Sequence, residues 1–361
     1  MSVSLSAYWR SMASGARPGL IARLLQTLLI PLATVYALLQ RLRAWLYRSG
    51  VLSSKRLPRP VISVGNIAVG GTGKTPVTAY IARQLLAQGV RVVVLSRGYG
   101  GSREGQTAIV SDGKSLLLTA DECGDEPFLL ARTIPDLMVV IGPDRHTAGL
   151  LALGSLNPDV FLLDDGFQHL RLRRDLNILL LDYWRPFGNG WTLPAGLLRE
   201  PPSATRRADL VIQTRCPAGV EVTGLVSARP HCSARHLLAD VIPFTGGEVH
   251  SLDALRGKKL LAFAGIAEPD GFFTGLREHG LNLVATLNFP DHAVYDGVAL
   301  LEIADQLRTS GADLAVTTEK DGVKLKALPP DVAEKIVLVR LELSFDDPTP
   351  LTSMLRNLLQ K

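Results

Sequence analysis

No aspartate or glutamate occurs in the first 60 residues. Nine arginines and lysines lie there, and this +9 leaves the other residues at −4 within a net charge of +5. The basic balance therefore belongs to the N-terminal segment and not to the molecule at large. Cysteine is scarce too. Cys123, Cys216 and Cys232 are far apart, odd in number and without metal-ligand spacing. They exclude a disulfide framework and read as apolar fillers in a reducing cytosol. No repeat of solenoid period and no low-complexity tract is present. What remains is a 361-residue chain, 47% hydrophobic and 20% charged, long enough for two domains with sizeable cores.

A basic segment can meet nucleic acid, an anionic membrane or nothing. Here the arginines are interleaved with aliphatic residues and no recognition motif accompanies them, so nucleic acid is not expected as a partner. Between Arg23 and Arg41 runs "LLQTLLIPLATVYALLQ". A helix over Leu24–Leu39 would be about 24 Å long, short of a bilayer core of about 30 Å, and Pro31 would kink it. The run starts late for a signal peptide, and "RLRAWLYRSG" stands where a cleavage site belongs. Arginine flanks with Trp45 and Tyr47 suit a helix lying at an anionic membrane interface. A buried N-terminal helix and a true span are the alternatives.

From Pro60 onward short apolar runs alternate with helical stretches. "PVISVGN", "RVVVLSRG", "LMVVIG", "VFLLDDG", "LNILLLD" and "DLVIQT" are continuously apolar, as strands buried on both faces of a parallel sheet are. "KLLAFAG", "LNLVATLNF" and "ADLAVTTEKD" form a second set. A polar zone near residues 215–230 separates the two. The reading is α/β: a P-loop NTPase-like parallel sheet with helices on both faces, a second smaller α/β domain, and an N-terminal membrane-interface helix. Expected boundaries are 1–59 for the N-terminal segment, 60–222 for the P-loop domain, 223–345 for the second domain and 346–361 for a C-terminal helix. "HCSARHLLADVI" and "KIVLVRLELSF" read as long strands able to pair as a bridge between the domains.

"VGGTGKT" carries the chemistry. It departs from G-x-x-x-x-G-K-[ST] only at its first position, Ala68. Gly70, Gly71 and Gly73, with Thr72 among them, let backbone N–H groups turn inward around phosphate oxygens. The following helix adds its positive end. Lys74 supplies charge to the β- and γ-phosphates, and the Thr75 hydroxyl can ligate Mg²⁺. Asp164 and Asp165 end an apolar strand, where a P-loop enzyme needs a carboxylate for the metal. These motifs specify a nucleoside-triphosphate-binding protein. They do not separate a kinase from a nucleotide-gated switch or assembly protein.

"SVGNIAVGGTGKTP", "VLSRGYGG", "GDEPFLLA", "DDGFQH", "LPAGLLREP", "FPDHAVYD" and "VTTEKDGVKL" occur in the order found in the tetraacyldisaccharide 4′-kinase family, which the chain resembles almost throughout. The resemblance implies an ATP- and Mg²⁺-dependent kinase acting at the cytoplasmic face of the bacterial inner membrane. The acceptor it implies is the 4′-hydroxyl of an acylated glucosamine disaccharide 1-phosphate, and the product lipid IV-A. Asp125, which by pattern alone reads equally as a helix N-cap, becomes the base. His292 becomes its partner across the cleft. Arg97, Arg171 and Arg199 are candidates for anionic groups, Arg199 and Glu200 foremost because "LLREP" belongs to the family pattern. His169 reads as a residue that shapes the site. Thr317–Asp321 has no expected role beyond loop architecture.

Overall fold

The computed structural model describes residues 5–15, 19–217, 219, 229–326 and 328–360. The expected boundary between 222 and 223 lies outside the described residues, as does most of the polar zone around it. Two helices come first, α1 (Leu5–Ala13) and α2 (Leu20–Arg48). The first unit then alternates β1 (Val61–Asn66), α3 (Lys74–Leu86), β2 (Val92–Ser96), β3 (Ala108–Asp112), α4 (Ala120–Cys123), α5 (Asp125–Thr133), β4 (Met138–Ile141), α6 (Arg145–Leu156), β5 (Val160–Leu163), β6 (Leu176–Asp182) and β7 (Leu210–Thr214). The second contains β8 (His231–Pro243), β9 (His250–Ser251), β10 (Lys259–Ala264), α7 (Pro269–Glu278), β11 (Asn282–Asn288), α8 (Gly297–Thr309), β12 (Leu314–Thr318), α9 (Glu319–Gly322), α10 (Pro330–Ala333) and β13 (Ile336–Phe345). Helix α11 (Thr349–Leu359) follows.

The strands form one continuous sheet in the order β11-β10-β12-β13-β8-β7-β6-β1-β5-β2-β4-β3, with β9 beside β8. Strands β1, β2, β4, β5, β6 and β7 run parallel to one another. Nearly all their residues are buried, which explains the unbroken apolar runs. β3 was not anticipated: it is short, half-exposed and antiparallel on β4 at the sheet edge. β11 closes the other edge and alternates exposed with half-buried residues.

Apolar side chains fill both faces of each unit. Val77, Ile81 and Leu85 of α3 pack on one face of the first unit, Ala148 and Ala152 of α6 on the other. Phe272, Phe273 and Leu276 of α7 cover one face of the second unit, and Ile303 and Leu307 of α8 the opposite face. β8 belongs to both units. Its start runs parallel to β7, and the rest pairs antiparallel with β13 from Ala234–Phe345 to Pro243–Val337. After β13 the chain returns to the first unit. Leu351, Leu355 and Leu358 of α11 join the α3 core, and the Phe345 ring lies 4.6 Å from that of Tyr80. Each such leucine contributes roughly 1.5–3 kcal/mol.

The N-terminal helix is longer than the sequence reading. α2 has 29 residues and continues through Pro31, so it is about 43 Å long at 1.5 Å per residue. Its length and composition pass the test for a membrane-crossing helix, with a mean hydropathy of 1.6 over 18 residues. Leu20, Ile21, Leu24, Leu28, Leu32, Val35, Leu39 and Trp45 are exposed, and only Ala22 and Ala33 of this helix are buried. The buried-helix alternative therefore does not hold. Polar anchors tie it to the first unit: the Thr192 hydroxyl donates to the Ala33 carbonyl at 2.7 Å, and Arg43 to the Gln168 carbonyl at 3.0 Å.

Candidate active site

The loop after β1 reaches α3 through Gly73, the N-cap, in the left-handed conformation (φ 74°). A side chain there would collide with His236 of β8, whose Nε2 would stand 2.6 Å from the added Cβ. Glycine is thus required twice, for backbone and for space. Thr72 is held from both sides: its hydroxyl accepts from Asn66 Nδ2 at 2.7 Å, and its carbonyl accepts from the Thr214 hydroxyl at 2.9 Å. Lys74 and Thr75 open the helix behind it.

Asp164 and Asp165 follow β5 directly opposite. Lys74 Nζ lies 4.0 Å from Asp165 Oδ1, and Arg199 Nη1 lies 2.7 Å from Asp165 Oδ2. Burial pushes the Asp165 carboxyl up, but Lys74 and Arg199 outweigh it and hold the group below the usual range. Asp164 accepts from the Thr78 hydroxyl at 3.1 Å. Burial, then Glu126 and Asp165, push its carboxyl up to about 7. The two adjacent carboxylates are thus shifted in opposite directions.

Arg145 is a residue the sequence reading missed. It is buried at the start of α6, donates to the Gly142 carbonyl at 2.8 Å and lies in the field of both aspartates; burial lowers it to about 10. "GPDR" at a strand-to-helix turn was the available signal, with Asp144 as N-cap.

The catalytic candidates come from opposite units. Gly124 precedes Asp125 with φ 89°, and the Tyr99 carbonyl stands where a Cβ would go. The "RGYGG" loop therefore packs directly against the turn that presents Asp125. Gly124, and not Asp125, is the N-cap of α5, and Asp125 is its first helical residue. That removes the capping explanation for this carboxylate. His292 Nδ1 lies 3.2 Å from Asp125 Oδ2. The Tyr99 ring sits edge-on to the imidazole at 6.0 Å. His292 itself is left-handed (φ 58°), a strain of order 1–3 kcal/mol that functional sites commonly store.

Lys320, in the Thr317–Asp321 segment, joins this group. Its Nζ lies 3.3 Å from Glu126 Oε1, 3.5 Å from His292 Nε2 and 3.8 Å from Asp291 Oδ1. The segment earns its shape from Thr318, which caps α9 and bonds Asp321. Further ion pairs cross between the units: Lys326 with Asp121, and Arg215, itself held by Asp182 of the first unit, with Glu268.

The remaining candidates are dispersed. Arg199 is in the phosphate cluster. Glu200 is buried, its carboxylate occupied by Arg207 at 2.7 Å and Gln168 at 3.0 Å, so it anchors the "DDGFQH" turn and does not face an open space. His169 is half-buried with Nε2 unpartnered; burial and Arg145 lower it to about 4. Arg97 is mostly exposed and pairs with Glu104 at 3.5 Å. Arg171 is exposed in the turn whose carbonyl accepts from Lys55 N–H. Among the described residues, neither of these last two contacts the phosphate cluster.

The donor set fits a divalent cation. The Thr75 hydroxyl and the Asp164 and Asp165 carboxylates are hard oxygens, and Asp165 Oδ1 is buried without a hydrogen-bond partner. Among the described residues no three His, Cys, Asp or Glu side chains form a cage. Mg²⁺ held chiefly by phosphates and water needs none.

Comparison with known proteins identifies the family. The family described as tetraacyldisaccharide-1-P 4′-kinase matches residues 25–360. The chain is 63% identical over 361 residues to tetraacyldisaccharide 4′-kinase of Pelobacter propionicus, covering 100% of both. It is 54% identical to that of Geobacter sulfurreducens, covering 99% of this chain and 100% of the relative. The crystal structure of LpxK from Aquifex aeolicus in complex with ATP is 34% identical, with a TM-score of 0.78, over 93% of this chain and 99% of that one. The chain belongs to the tetraacyldisaccharide 4′-kinase family.

Proposed function

We propose that this kinase uses Asp125, oriented by His292, as the base that draws the proton from the 4′-hydroxyl of a tetraacyldisaccharide 1-phosphate while the γ-phosphate of ATP is transferred to that oxygen. The product is lipid IV-A. The observation that carries the assignment is the 3.2 Å contact between Asp125 Oδ2 and His292 Nδ1, made across the two units. A sugar hydroxyl is a poor nucleophile, and a positioned carboxylate removes its proton as the O–P bond forms.

Gly70 to Thr75 cradle the triphosphate, and Lys74 meets its β- and γ-oxygens. Thr75, Asp164 and Asp165 would hold Mg²⁺, which would supply neutralising charge to the phosphates when bound. Arg199 pairs with Asp165 at 2.7 Å and in this reading meets the transferring charge. The ATP complex of the Aquifex relative supports nucleotide binding here.

The acceptor is an acylated lipid, and α2 supports its capture from a membrane. One end of α2 contacts the Gln168 carbonyl in the "DDGFQH" turn, so an exposed apolar helix stands beside the phosphate site. In this reading the protein docks on the anionic cytoplasmic face of the inner membrane through the +9 segment, each basic side chain adding roughly 1 kcal/mol.

The test supplies radiolabelled ATP and tetraacyldisaccharide 1-phosphate in detergent. Label should appear in the lipid, and Asp125→Asn should abolish it. ATP hydrolysis with no labelled lipid would favour the nucleotide-switch reading.

A further inference from the structure

We propose that Lys320 is a positioning residue that sets the tautomer of His292 and keeps that ring neutral, so that Nδ1 carries the hydrogen presented to Asp125. The inference rests on the reading of Asp125 and His292 given above. Its ground is donor chemistry. An ammonium has three donors and no acceptor. Lys320 Nζ approaches His292 Nε2 at 3.5 Å, so Nε2 must offer its lone pair there. The ring hydrogen then resides on Nδ1, where Asp125 Oδ2 accepts it at 3.2 Å.

The surroundings make this choice necessary. Three carboxylates face the ring or its partner: Asp125 and Glu126 from α5, and Asp291 from the preceding position on its own loop. Asp291 Oδ1 lies 3.9 Å from Nε2 and is buried without a hydrogen-bond donor. Tyr99 contributes only its ring edge. With no cation present, Nε2–H would turn toward Asp291 and the ring would hold a proton on each nitrogen between two carboxylates. Lys320 opposes that. Its positive charge disfavours an imidazolium alongside; the ammonium bonds Glu126 and reaches Nε2, and pairs with Asp291 by charge alone at 3.8 Å. Only 22% of its side chain is exposed, so solvent screens these contacts weakly. An Asp125 facing a neutral Nδ1–H is a stronger proton acceptor than one neutralised by an imidazolium.

There is a second consequence. Lys320 stands on α9 of the second unit, while Glu126 adjoins Asp125 on α5 of the first. Lys320, Asp291 and His292 share the second unit, so the tautomer is set within it, and closure brings Asp125 and Glu126 of the first unit to a ring and an ammonium already arranged.

The test labels histidine with ¹⁵N in the full-length protein and identifies the His292 ring signals by their loss in His292→Gln. The wild type should show an Nδ1–H, Nε2-lone-pair ring at neutral pH. Lys320→Met should show both nitrogens protonated, with kcat lower by roughly 10- to 100-fold, the range for losing a group that orients a functional histidine. The KM for ATP should stay within about twofold, as befits loss of an interaction made beyond nucleotide binding, and the acid limb of the pH–rate profile should move to higher pH. Lys320→Arg should restore the wild-type ring signals. If Lys320→Met does not fold, Lys320→Gln, which lacks the charge, carries the same expectation. Unchanged ring signals and acid limb in a folded, charge-deleted variant overturn the proposal. Retained turnover in Asp125→Asn would overturn the base assignment instead, leaving the dependence of the ring signals on Lys320 to be read separately.

Discussion

Asp165 is gripped by two cations from different parts of the chain, Lys74 on one carboxylate oxygen at 4.0 Å and Arg199 on the other at 2.7 Å. In the proposed reading both cations meet the triphosphate. Lys74→Ala and Thr75→Ala should preserve the fold and lower kcat by roughly 10²–10³, the usual loss for one electrostatic stabiliser. Single-turnover rates at saturating lipid measure this. Activity within threefold of wild type in both variants would remove the loop from the mechanism.

Asp125 and His292 should act as one unit. Either alanine substitution disables the same proton transfer, a loss of about 10²–10⁴. The double variant should be little worse than the poorer single one. A double-mutant cycle on kcat decides: strictly multiplicative losses mean the two residues work independently.

The exposed face of α2 should carry membrane binding. Leu28→Glu with Leu32→Glu should weaken sedimentation with anionic vesicles by at least about tenfold, since each leucine contributes roughly 1.5–3 kcal/mol when buried. Turnover of detergent-dispersed acceptor should persist. Equal vesicle binding by variant and wild type would exclude this face as the docking surface.

His236 should make the protein acid-labile. Burial, with Arg215 adding to it, lowers the ring to about 4, below the ordinary value near 6.5. The unfolded chain therefore takes up the proton first, and stability present above about pH 6.5 is lost as pH falls toward 4. Between pH 7 and pH 5 the loss is on the order of 1–2 kcal/mol. His236→Gln should flatten that slope in urea titrations, leaving the share due to His169, which burial lowers similarly. An identical slope in the variant would show that His236 does not drive it.

Much of this molecule was legible beforehand because its strands are buried on both faces. Val92–Ser96 and Val160–Leu163 have no polar alternation to confuse with a helix. β3 escaped notice because an edge strand with half-exposed residues lacks that signature. The phosphate loop was readable because its chemistry is local, with Lys74 and Thr75 adjacent to their glycines. The Asp125–His292 pair spans 167 positions, and only resemblance to a family suggested it. Lys320 and Arg145 stand in stretches that could be singled out, "TTEKD" and "GPDR", but neither stretch gave its cation a role. Their meaning lies in what tertiary packing brings beside them. The length of α2 was underestimated because the apolar run between Arg23 and Arg41 was taken as the whole helix, whereas the helix spans Leu20–Arg48.

The return of α11 to the α3 core bears on synthesis as well as on stability. The nucleotide-binding half is encoded first, yet Leu351, Leu355 and Leu358 emerge from the ribosome only after the entire second half. Until then the core that these leucines share with α3 stays incomplete, at translation rates of about 5–20 residues per second. The two halves therefore cannot mature one after the other as separate beads. The phosphate-binding half reaches its finished core only when the acceptor-side half already exists, which keeps an isolated ATP-binding fragment from standing alone.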